Sequence, residues 1–221
     1  MSAFEAAIFD FGGVFTTSPV ENFAAYERAH ALPERFIGEV IKRNHHANAW
    51  ARFERAEIAI DEFDALFADE TRAAGFEIRG RTLVGLLSLT FRDEMIEALA
   101  RVKAAGFKTG CITNNLPDLG ADAMLAHSEK REKLARIHAN FDCMIESSKV
   151  GARKPEPRIY LMMCEALGAA PAACVFLDDL GINLKPARDL GMHTIKVPFG
   201  DVSPAIRELE SRLGLAAAPA R

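Results

Sequence analysis

The chain has 221 residues, 49% of them hydrophobic, which is enough to bury a sizeable core in one large domain or in a core with a smaller inserted domain. Its formal net charge is −4, and Lys and Arg are interleaved with Asp and Glu, so the sequence offers no basic face that could neutralise a nucleic acid backbone. The longest uncharged run, residues 166–177, is too short to span a bilayer, and no secretory signal pattern opens the chain. We therefore expect a cytoplasmic protein with no nucleic acid or membrane partner.

A short apolar run at residues 6–9 predicts a buried strand that stops at Asp10. Residues 18–91 then carry helix signals and no convincing strand. Ser18, followed by a proline and by Glu21, predicts a helix that starts with a capping box, and Asp61 predicts the N-cap of an amphipathic helix running to Ala74. We interpret this interval as a helical insertion.

Beyond residue 92 the strand and helix patterns alternate regularly. Helical patterns are predicted at residues 93–105, 157–167 and 183–190, each followed by a glycine in the position that favours a left-handed residue. Apolar runs of strand length occur at residues 108–112, 143–145, 174–177 and 194–197. A last helix is predicted from Ser203, before a frayed tail at residues 215–221.

This alternation predicts an α/β protein with a doubly wound, mainly parallel sheet and a Rossmann-like core. The core is expected at residues 1–16 and 93–221. A helical cap at residues 17–92 is expected to lie over the carboxyl ends of the strands, where such sheets bind ligands. The cysteines show no CxxC spacing and are expected to be buried reduced thiols rather than a disulfide or a metal site: Cys111, Cys143, Cys164 and Cys174.

The carboxylate at the end of the first strand is the first side chain that could carry chemistry. Asp10 is expected to point into the crevice above the sheet, and Gly12 and Gly13 allow backbone N–H groups to approach a bound oxyanion. An aspartate before a glycine turn is also a common turn former. Thr113 and Asn114 follow the second strand, where they could clamp a phosphoryl oxygen or cap a helix.

Two further groups are expected at the same edge of the sheet. Lys154 lies in a proline-rich stretch and could offer a fixed positive charge to phosphate or to a carboxylate, or be a solvated surface lysine; the adjacent Arg153 is expected to be a surface or structural residue. Asp178 and Asp179 follow the fourth strand. Two adjacent acids there suit Mg²⁺, although an N-cap and a turn residue would give the same pattern.

Four ordered motifs, "FDFGGV", "ITNN", "RKPEPRIY" and "FLDDLGINLKPARDLGM", resemble those of the haloacid dehalogenase-like superfamily across essentially the whole chain. The resemblance implies that Asp10 is a nucleophile that forms an aspartyl-phosphate. It also implies a Mg²⁺ cofactor and a small phosphorylated substrate, with these roles: Mg²⁺ held by Asp10, the Gly12 carbonyl and Asp179; phosphate held by Thr113 and the Asn114 backbone; charge balanced by Lys154; and the surroundings of the metal ordered by Asp178 and Asn183.

One position departs from the family pattern. Most phosphatases of this superfamily carry a second aspartate, a general acid and base, where this chain has Gly12. Losing such a group commonly costs about 10² to 10⁴ in rate. Good leaving groups would relieve the loss, or a cap residue could replace the acid, with His45, His46 and Glu54 as candidates. Otherwise these are surface histidines and an exposed helix acid, and Trp50 is expected in the cap core or stacked on substrate.

Three hypotheses follow. The leading one is a Mg²⁺-dependent phosphatase, weak or restricted to good leaving groups. The second is a metal-independent 2-haloacid dehalogenase, which needs no acid at Gly12 but is disfavoured by Asp178 and Asp179. The third is a phosphate-binding or regulatory module without turnover. The sequence indicates neither the substrate nor the oligomeric state.

Overall fold

The computed structural model describes residues 4–87, 90–116 and 128–215, so all of the predicted tail except Leu215 lies outside the described residues. Its centre is a five-stranded parallel sheet in the order β3-β2-β1-β4-β5. The strands are β1 (Ala6–Phe9), β2 (Lys108–Thr113), β3 (Cys143–Glu146), β4 (Cys174–Asp178) and β5 (His193–Lys196). The predicted parallel α/β core is confirmed.

Eleven helices are described around this sheet. Five lie between β1 and β2: α1 (Pro19–Ala29), α2 (Phe36–Lys42), α3 (Ala49–Glu54), α4 (Ile60–Ala73) and α5 (Gly80–Gly85). The others are α6 (Asp93–Ala104), α7 (Ser128–Ala139), α8 (Ser147–Val150), α9 (Pro157–Leu167), α10 (Gly181–Asp189) and α11 (Ser203–Leu213). The helices predicted at 93–105, 157–167 and 183–190 are therefore confirmed to within two residues.

Strand β1 lies at the middle of the sheet because all four of its side chains are apolar and fully buried. Ala7 and Phe9 face a cluster that includes side chains of α6 and α11, whereas Ala6 and Ile8 face a second cluster built on α9 and α10. Both faces of the sheet are thus covered by helices. Just past the strand, the Asp10 N–H donates to the Leu177 carbonyl at 2.8 Å, which holds Asp10 beside the end of β4.

The inserted helices have a hydrophobic cluster of their own. Phe53 and Phe63 stack at 4.4 Å between ring centroids, and Trp50 packs edge-on against Phe63 at 5.9 Å, as expected for a core residue. In the described residues from 10 to 107, the β-structure consists of one bridge between Thr16 and Phe91, where the two connections to the sheet run side by side. The division at residues 17–92 stays a prediction.

Two predicted helix caps are wrong. Helix α1 begins at Pro19 as expected, but the Ser18 hydroxyl does not cap it and donates instead to Asp179 Oδ2 at 2.8 Å. Helix α4 begins at Ile60 with Ala59 as its N-cap residue, so Asp61 lies in the first turn, where its carboxylate pairs with Arg81. In both cases the polar side chain has found a partner distant in sequence.

The four cysteines are free thiols, three of them buried and Cys143 half-buried. Cys164 and Cys174 lie with their sulfur atoms 4.0 Å apart in the cluster beneath α9. Within the described ranges, the helices are too short or too polar to cross a membrane.

Candidate active site

Three carboxylates meet at the carboxyl edge of the two central strands. Asp10 follows β1, while Asp178 ends β4 and Asp179 comes directly after it. One oxygen from each lies within 4.8 Å of the others, and the three residues are only 7%, 0% and 3% exposed. Because β1 and β4 are hydrogen-bonded neighbours, their pairing alone is enough to bring these acids together.

A buried lysine compensates part of this negative charge. Lys154 comes from the loop between α8 and α9, is 1% exposed, and places Nζ 2.5 Å from Asp10 Oδ1 and 2.8 Å from Asp178 Oδ2. Burial alone lowers the pKa of a lysine, but these two carboxylates outweigh burial and hold the pKa of Lys154 above its ordinary value. The alternative of a solvated surface lysine is therefore wrong.

Burial and the repulsion between neighbouring carboxylates raise the pKa values of two acids in this cluster. Burial, opposed by the Lys154 ammonium, raises the pKa of Asp10 well above its ordinary value. Burial and the neighbouring Asp178 carboxylate raise the pKa of Asp179 to about 6. Three buried acids with one lysine leave an excess of negative charge, which a divalent cation would relieve.

The donor set suits a hard cation. Asp178 accepts hydrogen bonds from the Leu180 N–H at 2.8 Å and from Asn183 Nδ2 at 3.1 Å in addition to its contact with Lys154. Asn183 is itself held by Tyr160, whose hydroxyl donates to the Asn183 carbonyl at 2.8 Å. Protein donors engage both oxygens of Asp178, whereas Lys154 and the Phe11 N–H contact Oδ1 of Asp10, and Ser18 contacts Oδ2 of Asp179. Asp10 and Asp179 are therefore better placed than Asp178 to bind a metal.

Gly13 brings the backbone close to these acids. Its φ is +78°, and a Cβ built there would lie 2.2 Å from Asp179 Oδ2. Gly12 differs, because a Cβ at that position meets no heavy atom within 4 Å. The site therefore has room for a side chain at Gly12 and none at Gly13.

The second motif lies at the same edge but contributes in an unexpected way. Thr113 is the last residue of β2 and is half-buried. The Asn114 side chain exchanges two hydrogen bonds with the backbone of Lys154: Lys154 N donates to Asn114 Oδ1 at 2.8 Å, and Asn114 Nδ2 donates to the Lys154 carbonyl at 2.9 Å. Asn114 thus fixes the loop that carries the lysine. The predicted roles of Thr113 and Asn114 toward phosphate remain predictions.

Of the candidate replacement acids, Glu54 is buried rather than exposed, whereas His46 is exposed as expected for a surface histidine. Glu54 is 4% exposed, and its carboxylate accepts from Arg153 Nε at 2.6 Å and Nη2 at 2.5 Å. Burial raises the pKa of Glu54, and the Arg153 guanidinium opposes that rise. His45 is half-buried and His46 exposed, with their rings 3.9 Å apart. Glu54 is therefore committed to an ion pair.

Several residues of the site were not predicted from the sequence. Ser18 touches Asp179 across 161 positions, and Tyr160 holds Asn183 from another helix. Arg153, predicted only as surface or structural, is 8% exposed and structural. No local signal in the sequence identifies the role of Arg153, because its partner Glu54 lies 99 positions away.

Two relatives match 96% of the chain. Bifunctional epoxide hydrolase 2 of Sus scrofa is 33% identical over 224 residues, and acyl-CoA dehydrogenase family member 10 of Mus musculus is 31% identical over 217 residues. The chain spans 39% and 19% of the lengths of these two proteins.

Solved structures share the fold. A HAD family enzyme from Bacteroides thetaiotaomicron, in complex with magnesium and inorganic phosphate, is 20% identical, with a TM-score of 0.60 over 90% of this chain and 96% of that one. L-2-haloacid dehalogenase from Xanthobacter autotrophicus, with chloropropionic acid covalently bound, is 22% identical, with a TM-score of 0.57 over 97% of this chain and 85% of that one.

The family model for haloacid dehalogenase-like hydrolases matches residues 4–191, which include Asp10, Lys154 and the Asp178–Asp179 pair. The match covers most of the chain and agrees with the four ordered motifs, the fold and the relatives. The chain therefore belongs to the haloacid dehalogenase-like hydrolase family.

Proposed function

We propose that this hydrolase is a Mg²⁺-dependent phosphatase that transfers the phosphoryl group of a small metabolite to Asp10 and then to water. The observation that carries the proposal is the buried cluster of Asp10, Asp178 and Asp179 around Lys154. The likeness to a family enzyme solved with magnesium and inorganic phosphate supports it. The presence of both Asp178 and Asp179 favours metal-assisted phosphoryl transfer over dehalogenation.

In the proposed reaction, an Asp10 carboxylate oxygen attacks phosphorus, the new O–P bond forms, and the bond to the leaving oxygen breaks with its electron pair. Lys154 balances charge on Asp10 and on the phosphoryl oxygens, and Thr113 with the Asn114 N–H holds the phosphoryl group. Asp10, Asp179 and the Gly12 carbonyl would hold Mg²⁺, which would supply positive charge to offset the negative charge of the nucleophile and the phosphate. Water then cleaves the aspartyl-phosphate and regenerates the Asp10 carboxylate.

The supply of a proton to the leaving oxygen restricts which substrates can be cleaved. No side chain at Gly12 can donate a proton to it, and Glu54 is engaged by Arg153. Unless His45 or His46 supplies the proton, an alkoxide would depart without an acid, at a cost of about 10² to 10⁴ in rate. We expect acyl phosphates and sugar 1-phosphates to be cleaved faster than ordinary phosphate esters.

A phosphate-ester panel run with Mg²⁺ on the wild type, Asp10→Asn and Gly12→Asp tests this. Asp10→Asn keeps the size of the side chain and removes the nucleophile, so we expect no turnover. Gly12→Asp restores an acid in space that is free of other atoms, so we expect faster cleavage of ordinary esters. Unchanged turnover in Asp10→Asn would refute the mechanism.

Gly12 also favours the two alternatives, since neither needs a proton donor there. Halide release from 2-haloacids in EDTA would identify a metal-independent dehalogenase, and strict Mg²⁺ dependence would exclude it. Tight binding of Mg²⁺ with beryllium fluoride, together with no turnover across the panel, would identify a phosphate-binding module.

A further inference from the structure

A buried ion pair joins the inserted helices to the loop that carries Lys154. Glu54 is the last residue of α3, and Arg153 immediately precedes Lys154. Their side chains are 6% and 9% exposed, and two guanidinium nitrogens of Arg153 lie 2.5 and 2.6 Å from Glu54 Oε2. The pair uses the fork of the guanidinium, which fixes direction as well as distance.

Other contacts also join the segment 45–55 to the residues around Lys154. Arg153 Nη1 donates to the His45 carbonyl at 2.9 Å, and Ser147 Oγ donates to the Glu54 carbonyl at 2.7 Å. Arg55 Nη1 lies 3.3 Å from Glu156 Oε1. Residues on both sides of Lys154 are therefore tied to the segment 45–55.

Lys154 is held from two directions. The Asn114 side chain fixes its backbone from the core, and the Arg153–Glu54 pair fixes the preceding residue from the inserted helices. The Lys154 ammonium must meet Asp10 and Asp178 together, at 2.5 and 2.8 Å. A small shift of this loop would break at least one contact.

We propose that Glu54 is a positioning residue: through Arg153 it holds the 153–156 loop so that the Lys154 ammonium stays between Asp10 and Asp178 when α3 is seated on the core. The chain thereby couples the placement of its inserted helices to the charge at the nucleophile. Only the effect on turnover rests on the proposed phosphatase function; the placement of Lys154 does not.

Amine labelling of the full chain tests the placement directly. Folded protein is reductively methylated with formaldehyde and cyanoborohydride, and the labelling rate of each lysine is read by peptide mass spectrometry. We expect Glu54→Gln to speed labelling of Lys154 by about tenfold or more, because the loop opens locally. Labelling of Lys185, whose side chain is 75% exposed, should not change.

Glu210→Gln is the matched control. Glu210 is 3% exposed and pairs with Arg101 at 2.6 Å. Arg101 lies in the last turn of α6, near the start of β2 and so at the edge of the sheet opposite to the candidate site. The substitution removes a carboxylate charge buried to a similar degree, but because Arg101 is 36% exposed it should lower stability less than Glu54→Gln. It should leave Lys154 labelling within about twofold of wild type. A wild-type rate for Lys154 in folded Glu54→Gln, or an equal rise in Glu210→Gln, would overturn the proposal.

Arg153→Lys extends the test to a variant that retains the charge. It keeps the ion pair and loses the fork that also reaches the His45 carbonyl, so we expect labelling of Lys154 at least about threefold above wild type. It decides the question if Glu54→Gln does not fold, and a wild-type rate then overturns the proposal.

Kinetics separate this proposal from the proposed function. With a hydrolysed ester, Glu54→Gln should lower kcat by about tenfold and change KM by less than about threefold, because Lys154 acts mainly on charge at the reacting centre. If the wild type hydrolyses no ester, the phosphatase function fails while the labelling result still decides the role of Glu54.

Discussion

Lys154→Met removes the ammonium that contacts both Asp10 and Asp178 and leaves the buried aliphatic stem in place. Within the described residues, no second lysine or arginine forms an ion pair with either carboxylate. Breaking a buried ion pair from one side costs about 3–5 kcal/mol, since the partner stays buried without compensation. For a chain of this size the loss corresponds to a fall in Tm of about 6–20 °C. Urea unfolding in EDTA at pH 7 measures it.

Mg²⁺ should return part of this stability. A cation bound only by the folded state adds about 2.7 kcal/mol when its concentration is 100 times Kd, and the variant has more uncompensated charge to offset. The control is Lys185→Met, which removes an exposed i,i+4 partner of Asp189 and should cost no more than about 0.5 kcal/mol. A loss below about 1 kcal/mol for Lys154→Met in EDTA, at an unchanged m value, would refute the compensating role of this lysine.

Three further outcomes are expected. Gly13→Ala should abolish Mg²⁺ binding in calorimetry while the chain still folds, because the new Cβ would displace the Asp179 carboxylate; wild-type affinity would contradict the geometry. In EDTA, Asp179 alone should lower the free energy of unfolding by about 2 kcal/mol between pH 4 and 6, because with a pKa of about 6 it keeps a proton in the folded state that the unfolded chain, with its ordinary 3.8, has lost. Asp179→Asn should flatten this slope. Asn114→Ala should cost about 1–3 kcal/mol in urea unfolding, because it leaves the Lys154 N–H and carbonyl without their partner.

The sheet was predictable because its signals are local. The three inner strands β1, β2 and β4 are short, largely buried runs, whereas the edge strands β3 and β5 are only partly buried. The helices beyond residue 92 end at glycines such as Gly168, which has a φ of +57°. No observed strand end differs from the predicted one by more than one residue; β2, for example, extends to Thr113 and β4 to Asp178. The sequence predicted that Asp10, Lys154 and the acid pair share one edge of the sheet, and the pairing of β1 with β4 brings the acids together there.

The errors concern polar side chains whose partners are distant in sequence. Ser18 has the local pattern of a helix cap, yet its hydroxyl binds Asp179. Glu54 looks like an exposed acid on a short helix, yet it is buried against Arg153. Periodicity and capping rules describe neighbours within a few residues, so they carry no information about such pairs. The sequence shows that the usual second aspartate is replaced by Gly12, but only the structure shows free space around this position.

The central place of β1 has a consequence for how the protein folds. Parallel neighbours are joined by crossover connections rather than tight turns, so β1 reaches β2 only after the inserted helices and β4 only after most of the chain. A partly folded form in which β4 has not yet paired holds Asp10 but neither Asp178 nor Asp179 beside it. Such a form would lack the proposed cation site, so if the native protein binds a divalent ion, its uptake would report completion of the sheet, and the ion would draw late intermediates toward the native topology.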